Sequence, residues 1–139
     1  MFLLKAEKCF DAAHFLKGYK GKCSNLHGHR WRVVAEVQSD HLILDGQLRD
    51  MVVDFKTLKK DLKEICERFD HSLIFEEGSL MPVTIQALEA ENFRMLTMKG
   101  RPTAENLSIL FFEAMQEKGY DVYQISVYET PDNCAVYRP

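Results

Sequence analysis

Leu26-His27-Gly28-His29-Arg30-Trp31-Arg32-Val33-Val34-Ala35-Glu36-Val37 is the stretch on which the fold turns. Its β-branched and aromatic residues favour an extended strand. Successive side chains of a strand leave opposite faces, so His27 and His29 project from the same one. Two imidazoles in that arrangement can serve one ion, and neutral imidazole is a good zinc ligand. Gly28 between them leaves the opposite face unobstructed. Upstream, Phe2 to His14 reads as another strand, with Phe10, Ala12 and His14 on one face by the same period. His14 is the candidate third imidazole. Three protein ligands and an open fourth position form the pattern of a catalytic zinc. The competing reading is a strand with two partly exposed histidines. Three of the five histidines lie near the chain start beside a cysteine, which favours metal; His41, in a polar stretch, reads as a surface residue.

Between the two strands runs a polar loop, Lys17 to Asn25, with Gly18 and Gly21 as turn formers. It carries Cys23, whose neighbours Lys20 and Lys22 favour a thiolate. A thiolate beside a metal-bound substrate acts as general base or nucleophile. The alternative is a fourth ligand, giving a closed structural zinc held by one cysteine and three histidines. Cys9, Cys66 and Cys134 fall in strand or helix patterns and read as small core residues. The four cysteines are scattered without a CxxC pair, which indicates reduced thiols.

Downstream, Asp45-Gly46 suits the turn of a hairpin-like excursion before Val52 and Val53. Asp54 is an N-cap for a helix from Phe55 to Phe69, with Phe55, Leu58, Leu62, Ile65 and Phe69 on its apolar face. Asp70-His71 follows. A carboxylate that orients an imidazole supports acid/base chemistry, whereas a helix-terminal cap is the plainer role. Pro102-Thr103 opens a second helix to about Lys118, closed by Gly119. Val122 to Glu129 and Cys134 to Tyr137 read as strands around the turn Pro131-Asp132-Asn133. Glu129 shares a face with Ile125 and Val127, as a sheet-edge exception or an acceptor for N–H donors; Glu105 suits the helix dipole. Phe75 to Gly100 is the least periodic segment, with a short helix near Ile85 to Glu91 and a strand from Phe93 to Met98. The fold class is α+β, one domain over residues 1–139, an antiparallel sheet with helices on one face. Its uncovered edges invite pairing with another subunit.

Composition limits the function classes. A chain of 139 residues, 46% hydrophobic and 28% charged, builds a real core. The net charge of −3 argues against a general nucleic-acid surface. No apolar run reaches the roughly 18–20 residues that span a bilayer. Lys5, Glu7 and Lys8 interrupt the apolar start too early for a secretory signal, so a cytoplasmic location is expected.

Several motifs stand in a telling order: Phe10-Asp11-Ala12-Ala13-His14, Cys23-x-x-x-His27-Gly28-His29, Asp54-Phe55, Asp70-His71, Pro102-Thr103-Ala104-Glu105-Asn106 and Glu129-Thr130. Together they resemble the 6-pyruvoyl-tetrahydropterin synthase superfamily, most closely its bacterial 6-carboxy-tetrahydropterin synthase branch. The resemblance implies the tunnelling fold: a four-stranded antiparallel sheet with two helices on one side. Trimers of such subunits close a barrel, and two trimers stack as a hexamer with sites between subunits. It implies that His14, His27 and His29 bind Zn2+, that Cys23 is the catalytic thiol, and that His71 with Asp70 is its acid/base partner. Glu129 then anchors the N–H edge of a pterin.

The activity implied is conversion of 7,8-dihydroneopterin triphosphate to 6-carboxy-5,6,7,8-tetrahydropterin, acetaldehyde and triphosphate, a step toward queuosine and related deazapurines. Lys17, Lys20, Lys22, Arg30 and Arg101 are candidates for a basic mouth around the triphosphate. The three-residue gap between Cys23 and His27 matches the carboxy branch. Two features depart from the family pattern: Ser72-Leu73 stands where Leu-Asn usually follows Asp-His, and Phe75 to Gly100 is long. The alternatives are a 6-pyruvoyl-tetrahydropterin synthase that stops before carbon–carbon cleavage, and a non-catalytic module with a structural zinc.

Overall fold

Two strands carry the sheet. In the computed structural model, which describes residues 1–139, β1 (Phe2–His14) and β2 (His27–Ser39) pair antiparallel along their whole length. The register runs from Phe2 opposite Ser39 to His14 opposite His27. One set of alternate residues, including Ala6, Phe10, Ala12, Trp31, Val33, Ala35 and Val37, is buried, as a half-buried sheet requires. β5 (Val122–Thr130) continues the antiparallel sheet beside β2, and β6 (Asn133–Tyr137) beside β5.

The expected four antiparallel strands are therefore present, but the sheet has six strands, in the order β4-β3-β1-β2-β5-β6. β3 (Ser72–Glu76) runs parallel to the end of β1, and β4 (Met95–Met98) runs parallel to β3. A third helix, α2 (Pro82–Ala90), makes the crossover between them, as parallel neighbours require. In the sequence, β3 merges with the preceding helix end and the irregular segment. Its short run Ser72-Leu73-Ile74-Phe75-Glu76 has no two-residue alternation, because Ser72, Ile74 and Phe75 are all buried. α2 begins at Pro82, earlier than Ile85, and buries no residue completely, so it has little apolar signature.

α1 (Phe55–Glu67) lies over β1, and α3 (Ala104–Glu117) lies over β5 and β6. The Asp54 carboxylate caps α1 by accepting from the Lys56 N–H at 2.9 Å. Leu58, Leu62 and Ile65 are buried as expected, but Phe55 is exposed, since the first turn overhangs the sheet. The helix stops at Glu67, and Phe69 stays in the core beyond its end. Thr103 caps α3, as part of the expected Pro102-Thr103 start, and Gly119 takes the left-handed conformation just past the other end, at φ 95°.

Between the layers, Phe10 stacks on Trp31 with ring centroids 6.2 Å apart and touches Phe69 and Phe111. The indole N–H of Trp31 donates to the Ala12 carbonyl at 3.2 Å. The excursion after β2 closes on itself as expected: Ile43 N–H donates to Met51 O and Asp50 N–H to Ile43 O, both at 2.9 Å. No helix is long and apolar enough to cross a membrane. Of the cysteines read as core, only Cys66 is fully buried; Cys9 is half-buried and Cys134 exposed, because β6 is an edge strand.

This packing sets two unequal costs. Phe10→Ala should lower the unfolding free energy by about 3–5 kcal/mol and Asp54→Ala by about 1 kcal/mol, both read from denaturant midpoints. Equal losses would contradict the division between core and cap.

Candidate metal centre

The β1–β2 register brings the histidines together. His14 ends β1, His27 opens β2 directly opposite, and His29 stands two residues along the same face. Their ligand atoms all lie within 4.8 Å of one another, and the cluster consists of these three side chains alone. Cys23 is not a member, so the closed four-ligand arrangement is not the one observed.

Backbone carbonyls aim two of the rings. His14 Nδ1 lies 2.7 Å from the Pro102 carbonyl and His27 Nδ1 lies 2.7 Å from the Asn25 carbonyl. A carbonyl only accepts, so each Nδ1 carries the proton and each Nε2 presents a lone pair. Those two Nε2 atoms face each other at 3.1 Å. Two lone pairs at that distance repel unless a cation lies between them. A tetrahedral ion with bonds of about 2.0–2.1 Å holds its nitrogen ligands roughly 3.3 Å apart. His29 adds the third donor: its Nε2 is the one buried side-chain polar atom without a hydrogen-bond partner. The donor set fits a metal ion.

Burial pushes the pKa of both His14 and His29 below the ordinary imidazole value. For His14 the Pro102 hydrogen bond opposes the shift, and for His29 the Glu129 carboxylate does. Both rings are thereby kept neutral, the form that binds a metal. The Trp31 ring stands edge-on to His14 and His29, at centroid distances of 4.9 and 5.4 Å. Glu129, at the end of β5, places Oε1 3.5 Å from His29 Nε2. The strand-end carboxylate singled out from the sequence therefore borders the triad.

Asp70 and His71 form a second unit. Asp70 Oδ1 accepts from the Asp11 N–H at 2.9 Å, and Oδ2 lies 3.0 Å from His71 Nδ1. The His71 N–H in turn donates to the Asp11 carbonyl at 2.6 Å. The pair thus fastens the chain to β1 instead of capping α1, whose C-cap is Arg68. The Asp11 N–H, seconded by His71, holds the Asp70 carboxyl below its usual range. His71 has left-handed backbone, φ 56°, uncommon outside glycine. Its imidazole is exposed and opens into a cleft of about 400 Å³ that His29, Gly28 and Arg30 also line. A neighbouring cleft of about 440 Å³ runs from His29 and Gly28 past Arg32 and Tyr128 to Glu129. Gly28 borders both clefts, consistent with its expected role of leaving space.

Cys23 lies outside the three-histidine cluster. It is half-buried in a 3-10 turn, Lys22–Ser24, and its carbonyl accepts from the Leu16 N–H at 2.9 Å. No hydrogen bond joins its thiol to the histidines or to the Asp70–His71 pair. Sequence reasoning missed the carbonyls of Pro102 and Asn25; Pro102 belongs to a quoted motif, but the group that matters is backbone. Of the basic-mouth residues, Arg101 directs Nη2 to the Lys17 carbonyl at 2.8 Å, while Lys17, Lys20, Lys22 and Arg30 are exposed.

A family model described as 6-pyruvoyl tetrahydropterin synthase matches residues 3–139, and the chain belongs to that family. It is 33% identical to the 6-carboxy-5,6,7,8-tetrahydropterin synthase of Haemophilus influenzae, over 99% of both chains. It is 34% identical to the enzyme of the same name from Rickettsia bellii, over 91% of this chain and 92% of that one. Among solved structures, an uncharacterized Wolinella succinogenes protein shares the fold with a TM-score of 0.82 at 19% identity, over 99% of this chain and 97% of that one. The Caenorhabditis elegans 6-pyruvoyl tetrahydropterin synthase shares it at 0.69 and 22%, over 99% and 95%.

The lowered imidazole pKa values carry a sign. Below about pH 6.5 the unfolded chain takes up protons at His14 and His29 that the folded chain resists. That contribution to stability is present above about pH 6.5 and is lost as pH falls. The denaturation midpoint of metal-stripped protein should therefore drop between about pH 7 and pH 5, and His14→Gln should flatten the slope.

Proposed function

We propose that this chain is a zinc-dependent carbon–carbon lyase. It converts 7,8-dihydroneopterin triphosphate and one water to 6-carboxy-5,6,7,8-tetrahydropterin, acetaldehyde and triphosphate, in queuosine and deazapurine biosynthesis. The observation that carries the reading is the orphaned His29 Nε2, set among three convergent imidazoles beside the Glu129 carboxylate. The full-length likeness to proteins named for this activity supports the choice of reaction.

His14, His27 and His29 would hold the zinc, which supplies Lewis acidity to the side-chain hydroxyls of the substrate. Glu129 accepts from the N–H edge of the pterin, a paired recognition that fixes the ring. The labile side chain then lies toward the triad in one orientation. Cys23 thiolate removes the proton from the acidified carbon. His71 passes protons as triphosphate leaves and the side chain breaks. Asp70 holds His71 Nδ1 at 3.0 Å, so the free Nε2 is the atom that exchanges protons.

The Cys23 thiol makes no hydrogen bond to Asp70–His71 within one chain, which suits a site shared between subunits. The sheet edges suit it as well. β3 covers β1 only at Ala12–His14 and Asp70–His71 engage Asp11, which leaves Phe2 to Phe10 without a partner on that side, and β6 is open along its outer edge. Pairing β6 of one subunit with β1 of the next removes both edges. We place residues 1–139 as one domain in a homo-hexamer of two stacked trimers. The free cysteines suit the cytoplasm.

Zinc-loaded protein incubated with dihydroneopterin triphosphate should yield acetaldehyde and the carboxylated pterin by mass spectrometry. Pyruvoyl-tetrahydropterin as product would replace this reading with the pyruvoyl-forming one. Cys23→Ala should keep zinc and fold and lose at least about 100-fold in turnover, the scale of a missing general base. Loss of zinc and unfolding in that variant would point to a structural site.

A further inference from the structure

The turn before α3 does more than start a helix. Arg101 Nη2 donates to the Lys17 carbonyl at 2.8 Å, joining positions 84 residues apart. Lys17 begins the loop that leaves His14, carries Cys23 and returns at His27. Gly18, the next residue, is left-handed at φ 79°, and a Cβ there would lie 3.5 Å from the same Nη2. The loop thus bends directly beneath the guanidinium.

Arg101 is itself held firmly. Its carbonyl accepts from the Thr103 N–H at 2.8 Å and from Asn106 Nδ2 at 2.9 Å. A Cβ at Gly100 would stand 2.8 Å from that Asn106 nitrogen, so the close approach needs glycine. The next carbonyl along, Pro102, is the one that aims His14 at 2.7 Å. One short segment therefore grips both a metal-site histidine and the cysteine loop. Within the loop, the Leu16 N–H to Cys23 O bond at 2.9 Å passes the constraint onward.

We propose that Arg101 is a positioning residue, a strap that fixes the Cys23 loop relative to the three histidines. The proposal rests on the reading of Cys23 as the base. It gives Arg101 a different role from contact with the substrate's phosphates.

Arg101→Ala in the zinc-loaded enzyme should lower kcat by about tenfold or more, since small misplacements of a reacting group are costly. KM should stay within about twofold, because no substrate contact is removed. Zinc content should be unchanged. Cys23 should be alkylated by iodoacetamide several-fold faster than in the wild type, when its peptide is quantified by mass spectrometry against fully alkylated denatured protein. Arg101→Lys, which keeps one donor, should recover part of both losses; if the alanine variant does not fold, the lysine variant is compared with wild type on the same readings. Unchanged kcat and alkylation overturn the strap. A raised KM with wild-type kcat makes Arg101 a phosphate ligand, and loss of zinc assigns its effect to His14; either result also overturns the proposal. Full turnover by Cys23→Ala would remove the base reading alone, and the alkylation rate would still decide whether Arg101 holds the loop.

Discussion

The register of β1 against β2 is the constraint on which the site depends. With His14 opposite His27, one face of the hairpin buries Phe10 and Trp31 and ends in the imidazole triad. A slip by one residue would turn His14 to the far face and carry Phe10 and Ala12 with it. The ring stack between the layers and the placement of the ligands are therefore one specification. The core holds the register, and the register places the histidines.

Asp11 extends that specification to the Asp70–His71 pair. Its side chain faces Arg30 at 3.2 Å, while its backbone N–H and carbonyl engage Asp70 and His71. The left-handed turn at His71 sends the chain into β3, which lies alongside the end of β1. The Arg94 guanidinium, from just before β4, donates to the Asp70 carbonyl at 3.0 Å. The long segment after Asp70–His71 is thus part of the support of that pair.

Much of this was legible in the sequence because the signals were local. Period two gave β1 and β2 and put His27 with His29; the Asp54 cap and the Pro102-Thr103 start located α1 and α3. Glu129 stood out as a carboxylate in an apolar series. β3 was lost because it is buried on both faces and too short for alternation to show. α2 showed only from Ile85 onward because it buries no residue completely, and Phe55 misled because helical spacing alone does not say where the sheet ends. The aiming groups were beyond reach for another reason: a carbonyl is the same in every residue, so its role depends on tertiary placement.

His14 and His27 are 13 residues apart in sequence, whereas the Pro102 carbonyl that aims His14 is 88 residues away. Closing the short loop costs about 1.7 kcal/mol less chain entropy than closing the long one. The ligands thus belong to a local hairpin, while their aim belongs to the completed fold. Affinity for an ion at the triad would therefore report global folding: a hairpin that has formed without α3 in place would hold the imidazoles and lack the Pro102 carbonyl that aims His14.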